Sequence, residues 1–231
     1  MFWYDSTYIL VIIGAVICLI ASSGVRATFS KYSKYQSRLG MTGAQAAEMI
    51  LRREGIYDVR IERIGGELSD HYNPRTKTLS LSDSVYDSTS VAAVGVAAHE
   101  VGHAIHQAKG YFPLILRNSI VPVANIGSTI SWPLIFIGLF LNKNTGMFFI
   151  NLGIICFSLA VLFQILTLPV EFNASKRAMR LIKQNNILDS NELTGTGKVL
   201  KAAALTYVAG AASSILQLLR LILLTNNRRR D

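Results

Sequence analysis

The chain has 231 residues, 51% of them hydrophobic, with a mean hydropathy of +0.36 and a formal net charge of +9. That length fits one large domain or two small ones, and that hydropathy is high for a soluble protein, so a membrane class is the first to test. Cys18 and Cys156 both fall in apolar runs and give neither a disulfide framework nor a CxxC ligand pair. The basic surplus comes without a nucleic-acid motif and reads as charge flanking membrane helices beside anionic lipid.

Residues 8–25, YILVIIGAVICLIASSGV, carry no charge, and 18 residues at 1.5 Å each nearly cross a hydrocarbon core of about 30 Å. A cleaved secretory signal would place positive charge before the run and a small-residue cleavage site after it. Here Asp5 precedes it and Arg26, Lys31, Lys34 and Arg38 follow. Residues 1–25 therefore read as an uncleaved transmembrane anchor with its N-terminus outside.

Residues 26–118 form the expected catalytic segment. Within it TGAQAAEMILRREG predicts a short amphipathic helix: Thr42 caps it, Ala46, Met49 and Ile50 share a face, and Gly55 ends it. YDVRIERI alternates apolar and charged residues, a strand signature, and Thr78 to Ser82 alternates again after turns marked by Gly65, Gly66, Asn73 and Pro74. A small sheet or β-hairpin is expected. From about Thr89 to Ala108 a proline-free stretch rich in Ala and Val, with Ser88 and Ser90 as caps, predicts a buried helix.

That helix contains His99-Glu100-Val101-Gly102-His103. Residues four apart share a helix face, so two imidazoles can converge on one ion, while Glu100 sits beside the face where it can act on water. With 4 histidines in 231 residues, chance gives one H-E-x-x-H about 0.002 times per such chain. Two imidazoles and a carboxylate are also costly to bury without a partner, and a metal supplies one. The apolar run from Val91 to Ala98 is too short for this helix to be a membrane span itself. Gly102 admits two roles, close approach of substrate or a neighbouring strand, and simple helix packing.

A catalytic zinc needs a third protein ligand and keeps one position for water. His106 shares the face but stands seven residues from His99, about 10.5 Å along the axis, too far to meet the same ion. The three-histidine pattern requires Gly at 106 and His at 109, where the chain has His106 and Lys109. His71 lies in a predicted turn. Downstream acids are Glu171, Asp189, Glu192 and Asp231.

Residues 119–141 and 147–168 predict a transmembrane hairpin, residues 119–168, joined by the loop NKNTG. It leaves and re-enters the membrane on one side, so Glu171 returns to the side of His99 and His103. This makes Glu171 the leading third ligand. LPVEFNASKRAMRLI is expected to start a new helix there, with Pro169 in its first turn. A fourth apolar run, 202–224, is long enough to span but rich in small residues and carries Arg220. Lys and Arg number none in 1–7, twelve in 26–118, one in 142–146 and six in 169–201, which places both long segments in the cytoplasm. The tail NNRRRD disagrees if 202–224 crosses fully. Residues 169–231 are expected to supply the third-ligand helix and a C-terminal membrane helix within one integrated domain.

At these residues the chain resembles a known family. AAHEVGHAIHQ, a membrane hairpin and LPVEFNASKRA, with NPRTKTLSLSDSVYD before them, are similar to the small membrane-bound zinc metallopeptidases of the YugP type and, more distantly, the HtpX-like proteases. The resemblance covers nearly the whole chain. It implies a mainly α membrane protein with a gluzincin-like core, a small β-hairpin or sheet and three to four transmembrane helices. It also implies one Zn2+ held by His99, His103 and Glu171, with Glu100 as base. His106 stands where relatives have Gln, and Asn173 where EFDAS has Asp. Ser175 falls where more distant relatives have an Asp that orients a ligand histidine.

The expected function is zinc-dependent endopeptidase activity on membrane-associated or misfolded polypeptides, at the cytoplasmic face of the plasma membrane. The partners are a polypeptide substrate and the lipid bilayer, with no nucleic acid. Tyr207, Tyr111 and Arg177 are possible oxyanion donors, and the Thr78 to Ser82 strand could receive substrate as an added strand, unless it is already paired on both sides. The competing classes are a non-catalytic zinc-stabilised membrane scaffold, against which Glu100 argues, and a transport protein, against which the lack of paired ionisable residues in the spans argues.

Overall fold

The computed structural model describes residues 6–230, with side chains to 226. Asp5, Asp231 and the arginine side chains of the tail lie outside the described residues. In chain order the elements are α1 (Tyr8–Tyr32), α2 (Gly43–Arg53), β1 (Arg60–Ile64), β2 (His71–Asn73), β3 (Thr78–Ser82), α3 (Asp83–Tyr86), α4 (Val91–Ala108), α5 (Phe112–Phe140), α6 (Lys143–Gln184) and α7 (Ser190–Arg230). The protein is mainly helical with a small three-stranded sheet. It divides into two units, residues 1–21, 115–169 and 206–231 in one and residues 22–114 and 170–205 in the other.

The first unit is helical. Four helices, α1, α5, α6 and α7, are long and apolar enough to cross a membrane. Where α5 and α6 pack, glycines let the backbones touch: a Cβ on Gly127 would lie 2.8 Å from the Cys156 carbonyl oxygen, and one on Gly153 2.8 Å from that of Ser131. Small residues at such contacts are how membrane helices gain packing without a hydrophobic drive between them. Gly14 meets Ser213 in the same way. Both cysteines are free, and the Cys18 thiol points at the Ala209 carbonyl at 3.6 Å.

Two expectations change here. The hairpin connection is shorter than NKNTG, because Asn142 caps α6 by accepting from the Thr145 amide at 3.1 Å and the helix begins at Lys143. Nor does a new helix begin at Pro169, which lies inside the unbroken 42-residue α6. A proline can sit at a helix start, but it is also tolerated within membrane helices, and Pro122 and Pro133 likewise lie inside α5.

The second unit holds the sheet and a core built from α2, α4 and the flanking helices. Thr42 forms a full capping box with Gln45, and Ala46, Ala47, Ile50 and Leu51 of α2 are buried against α4. Gly55 then ends the turn at φ 74°, a conformation that favours glycine. The sheet order is β1-β3-β2, with β1 parallel to β3 and β2 antiparallel to it. β3 is therefore the central strand, all five of its residues buried and paired to β1. That pairing removes it as a place where substrate could add as a strand.

The α4 helix starts at Ser90, whose side chain accepts from the Ala93 amide. Its small residues let neighbours come close. A Cβ on Gly95 would be 2.5 Å from Thr196 Cγ2, and Thr196 Oγ1 donates to the Val91 carbonyl at 2.9 Å. On the next turns Gly102 faces α6: a Cβ there would lie 3.0 Å from the Ala174 carbonyl oxygen. Of its two possible roles, Gly102 serves helix packing.

Candidate functional site

The close approach at Gly102 brings Glu171 of α6 against His99 and His103 of α4. The Nε2 atoms of His99 and His103 are 3.2 Å apart, and each faces Glu171 Oε2, at 3.4 and 3.5 Å. All three side chains are largely buried, Glu171 to 4% exposure. Among the described residues, this is a group of three donor atoms close enough to share one ion.

The donor set can be tested against zinc. Ligands at about 2.0 to 2.2 Å from a tetrahedral ion are separated from one another by about 3.3 to 3.6 Å. The observed edges of 3.2, 3.4 and 3.5 Å describe one face of such a tetrahedron. The chemistry agrees. Ser175 Oγ lies 3.1 Å from His99 Nδ1. If Nδ1–H donates to the hydroxyl, the Nε2 lone pair is left pointing at its neighbours. Glu171 Oε2 is buried without a hydrogen-bond partner. Acceptors crowded together in this way need a cation.

Electrostatics follow the same geometry. Burial alone would raise the Glu171 carboxyl, but the imidazoles of His103 and His99 facing it outweigh that and hold the group below the usual carboxylate range. Glu100, half-buried beside the triangle, is pushed up by burial; His103 and His99 oppose the rise, while Glu171 and Asp70 add to it. A carboxyl held nearer neutrality is suited to taking up a proton and giving it back.

Around the triangle lies a layer of polar contacts. His106 is fully buried, stacked on Tyr111 with ring centroids 4.4 Å apart, and its Nε2 lies 2.9 Å from Asn173 Oδ1. Burial holds its pKa down at about 4, so the ring is neutral and Nε2–H donates to the asparagine. His106 and Asn173, the two residues expected from the resemblance to differ from relatives, therefore face each other. Asp70, which sequence reasoning missed, accepts from the Ser82 amide at 2.7 Å and its hydroxyl at 3.0 Å. Burial raises its carboxyl in spite of those bonds. No motif marks it, since it stands alone in a turn.

The other candidates are not among the three donor groups brought together. His71 is exposed on edge strand β2, where its Nδ1 lies 2.9 Å from the Ser69 carbonyl. Asp189 and Glu192 cap α7 through backbone amides. Of the possible oxyanion donors, Tyr111 covers His106, Arg177 sits on the face of α6 that carries Asn173, and Tyr207 belongs to the other unit.

Four apolar helices, together with two imidazoles and a carboxylate set as one face of a tetrahedron, define a membrane protein with a candidate metal centre. The family described as "Putative neutral zinc metallopeptidase" matches residues 7–226. A relative from Bacillus subtilis (strain 168), named "Putative membrane protease YugP", is 47% identical over 205 residues, which covers 89% of this chain and 90% of that protein. The chain belongs to this zinc metallopeptidase family. No solved structure matches it.

Proposed function

We propose that the protein is a membrane-bound endopeptidase of gluzincin type in which His99, His103 and Glu171 hold a single Zn2+ and Glu100 is the general base. The observation that carries this is the triangle of 3.2, 3.4 and 3.5 Å between their donor atoms. Zinc bound there supplies a Lewis acid that lowers the pKa of water towards about 7 and polarises a peptide carbonyl.

The chain's own residues do the rest. Glu100 takes the proton from the attacking water and passes it to the leaving amine. Ser175 fixes the ring of His99 through Nδ1, and the Gly102–Ala174 contact sets the distance between the two ligand helices. With β3 paired on both sides, an extended substrate has the free edge of β2, a strand packed against α4, for main-chain hydrogen bonds.

Substrates on this reading are exposed segments or tails of membrane-associated or misfolded proteins. The distribution of Lys and Arg supports a cytoplasmic site at the cell membrane. The test is peptide or casein cleavage by the full-length protein in detergent. Glu100→Gln should abolish cleavage while zinc stays bound, and cleavage that survives this change would sink the assignment.

A further inference from the structure

Asn173, Lys176, Arg177 and Arg180 line a pocket of about 260 Å³. Their spacing of three, four and seven residues puts them on one face of α6, while Val170, Ala174, Ala178, Leu181 and Ile182 are buried in the core. Arg52, Arg63, Lys77 and Lys109 each have a carboxylate within 2.5 to 2.7 Å. Among the described residues, no carboxylate lies at ion-pair distance from Lys176, Arg177 or Arg180. The Nε of Arg177 is buried and has no hydrogen-bond partner. Three like charges converging on one cavity, with a buried donor left over, call for an anion.

The kind of anion follows from where the stripe falls in the chain. It begins five residues after the apolar run 147–168 on the same continuous helix, so it occupies roughly 8 to 18 Å of helix beyond that run. Headgroups extend about 5 to 8 Å from the hydrocarbon core, and Lys and Arg side chains reach back along their stems. A guanidinium fork matches phosphate oxygens in pairs. We propose that this pocket binds the headgroup phosphate of an anionic phospholipid. Because Asn173 also holds His106, the occupied pocket adjoins the buried polar layer of the candidate centre.

The test uses full-length protein in zwitterionic detergent, with phosphatidylglycerol or phosphatidylcholine added and retained lipid counted by native mass spectrometry. Wild type should retain phosphatidylglycerol in preference, and Lys176→Gln, Arg177→Gln and Arg180→Gln should each weaken that preference about fivefold. Arg26→Gln/Lys31→Gln, in the basic stretch after the first span, should keep it. Arg180 is exposed, so Arg180→Gln decides the matter if Arg177→Gln, which removes a partly buried side chain, does not fold. Inorganic phosphate at equal concentration should leave the lipid bound. Unchanged preference in Arg180→Gln, equal loss in the Arg26/Lys31 variant, or displacement by inorganic phosphate would overturn the proposal. Displacement by an acetylated dipeptide with a free carboxylate would also overturn it, and would assign the pocket to the substrate's carboxylate.

Discussion

Gly102→Ala puts the packing that brings the ligand helices together under direct strain. The added Cβ would stand 3.0 Å from the Ala174 carbonyl oxygen and 3.3 Å from its Cα, against an ordinary contact of 3.4 to 4 Å. Both atoms are backbone, so α4 and α6 have to part by a few tenths of an ångström. Alanine gains about 1 kcal/mol of helix propensity over glycine, while crowding a packed contact costs about 1 to 3 kcal/mol. The balance is a loss of up to about 2 kcal/mol. Parting the helices also stretches the Glu171 edges of the donor triangle, now 3.4 and 3.5 Å, and zinc affinity should fall about tenfold. Thermal unfolding in detergent and zinc competition against a chromophoric chelator measure the two effects. Gly24→Ala is the control, since nothing lies within 4 Å of a Cβ there, and it should be neutral or slightly stabilising. A Gly102→Ala protein that melts higher than wild type and binds zinc equally well would refute the reasoning.

Further outcomes follow from the same geometry. Ser175→Ala removes the partner of His99 Nδ1 and should weaken zinc binding by roughly 10- to 100-fold without unfolding the chain, which the same chelator competition reads. Stripping the metal with a strong chelator should lower the melting temperature and end cleavage, and added zinc should restore both. His106 titrates at about 4 in the fold and near 6.5 when unfolded, so between these values the unfolded state takes a proton that the folded state refuses. Its contribution is complete above pH 6.5 and declines as pH falls towards 4, by up to roughly 3 kcal/mol. In zinc-free protein, His106→Gln should therefore flatten the fall in stability over that window, and a slope equal to wild type would count against the burial argument.

What could be seen in the sequence was what local periodicity and short-range chemistry encode. Ser90 and the small residues after it announced α4, and the four-residue step from His99 to His103 put two imidazoles on one face. Thr42 marks the start of α2 just as clearly. Long-range matters were harder. Glu171 was reached by following the chain out of and back to one side of a membrane, yet its local setting was misjudged because Pro169 resembles a helix start and the surrounding α6 has no break. β2 is three residues long, too short for alternation to show, and Pro74 beside it pointed to a turn. Without β2, the sequence leaves open whether β3 is a free edge or a strand paired on both sides. The contact between His106 and Asn173 joins residues 67 apart, and no periodic pattern within either helix could reveal it.

The most direct measurement is zinc content by elemental analysis together with peptide cleavage, for wild type, Glu100→Gln and Glu171→Ala of the full-length protein in detergent. One zinc per chain and cleavage in wild type, zinc without cleavage in Glu100→Gln, and loss of both in Glu171→Ala is the predicted pattern. If Glu100→Gln cleaves as wild type does, Glu100 is not the base. If Glu171→Ala keeps its zinc, the triangle of His99, His103 and Glu171 is not the metal site.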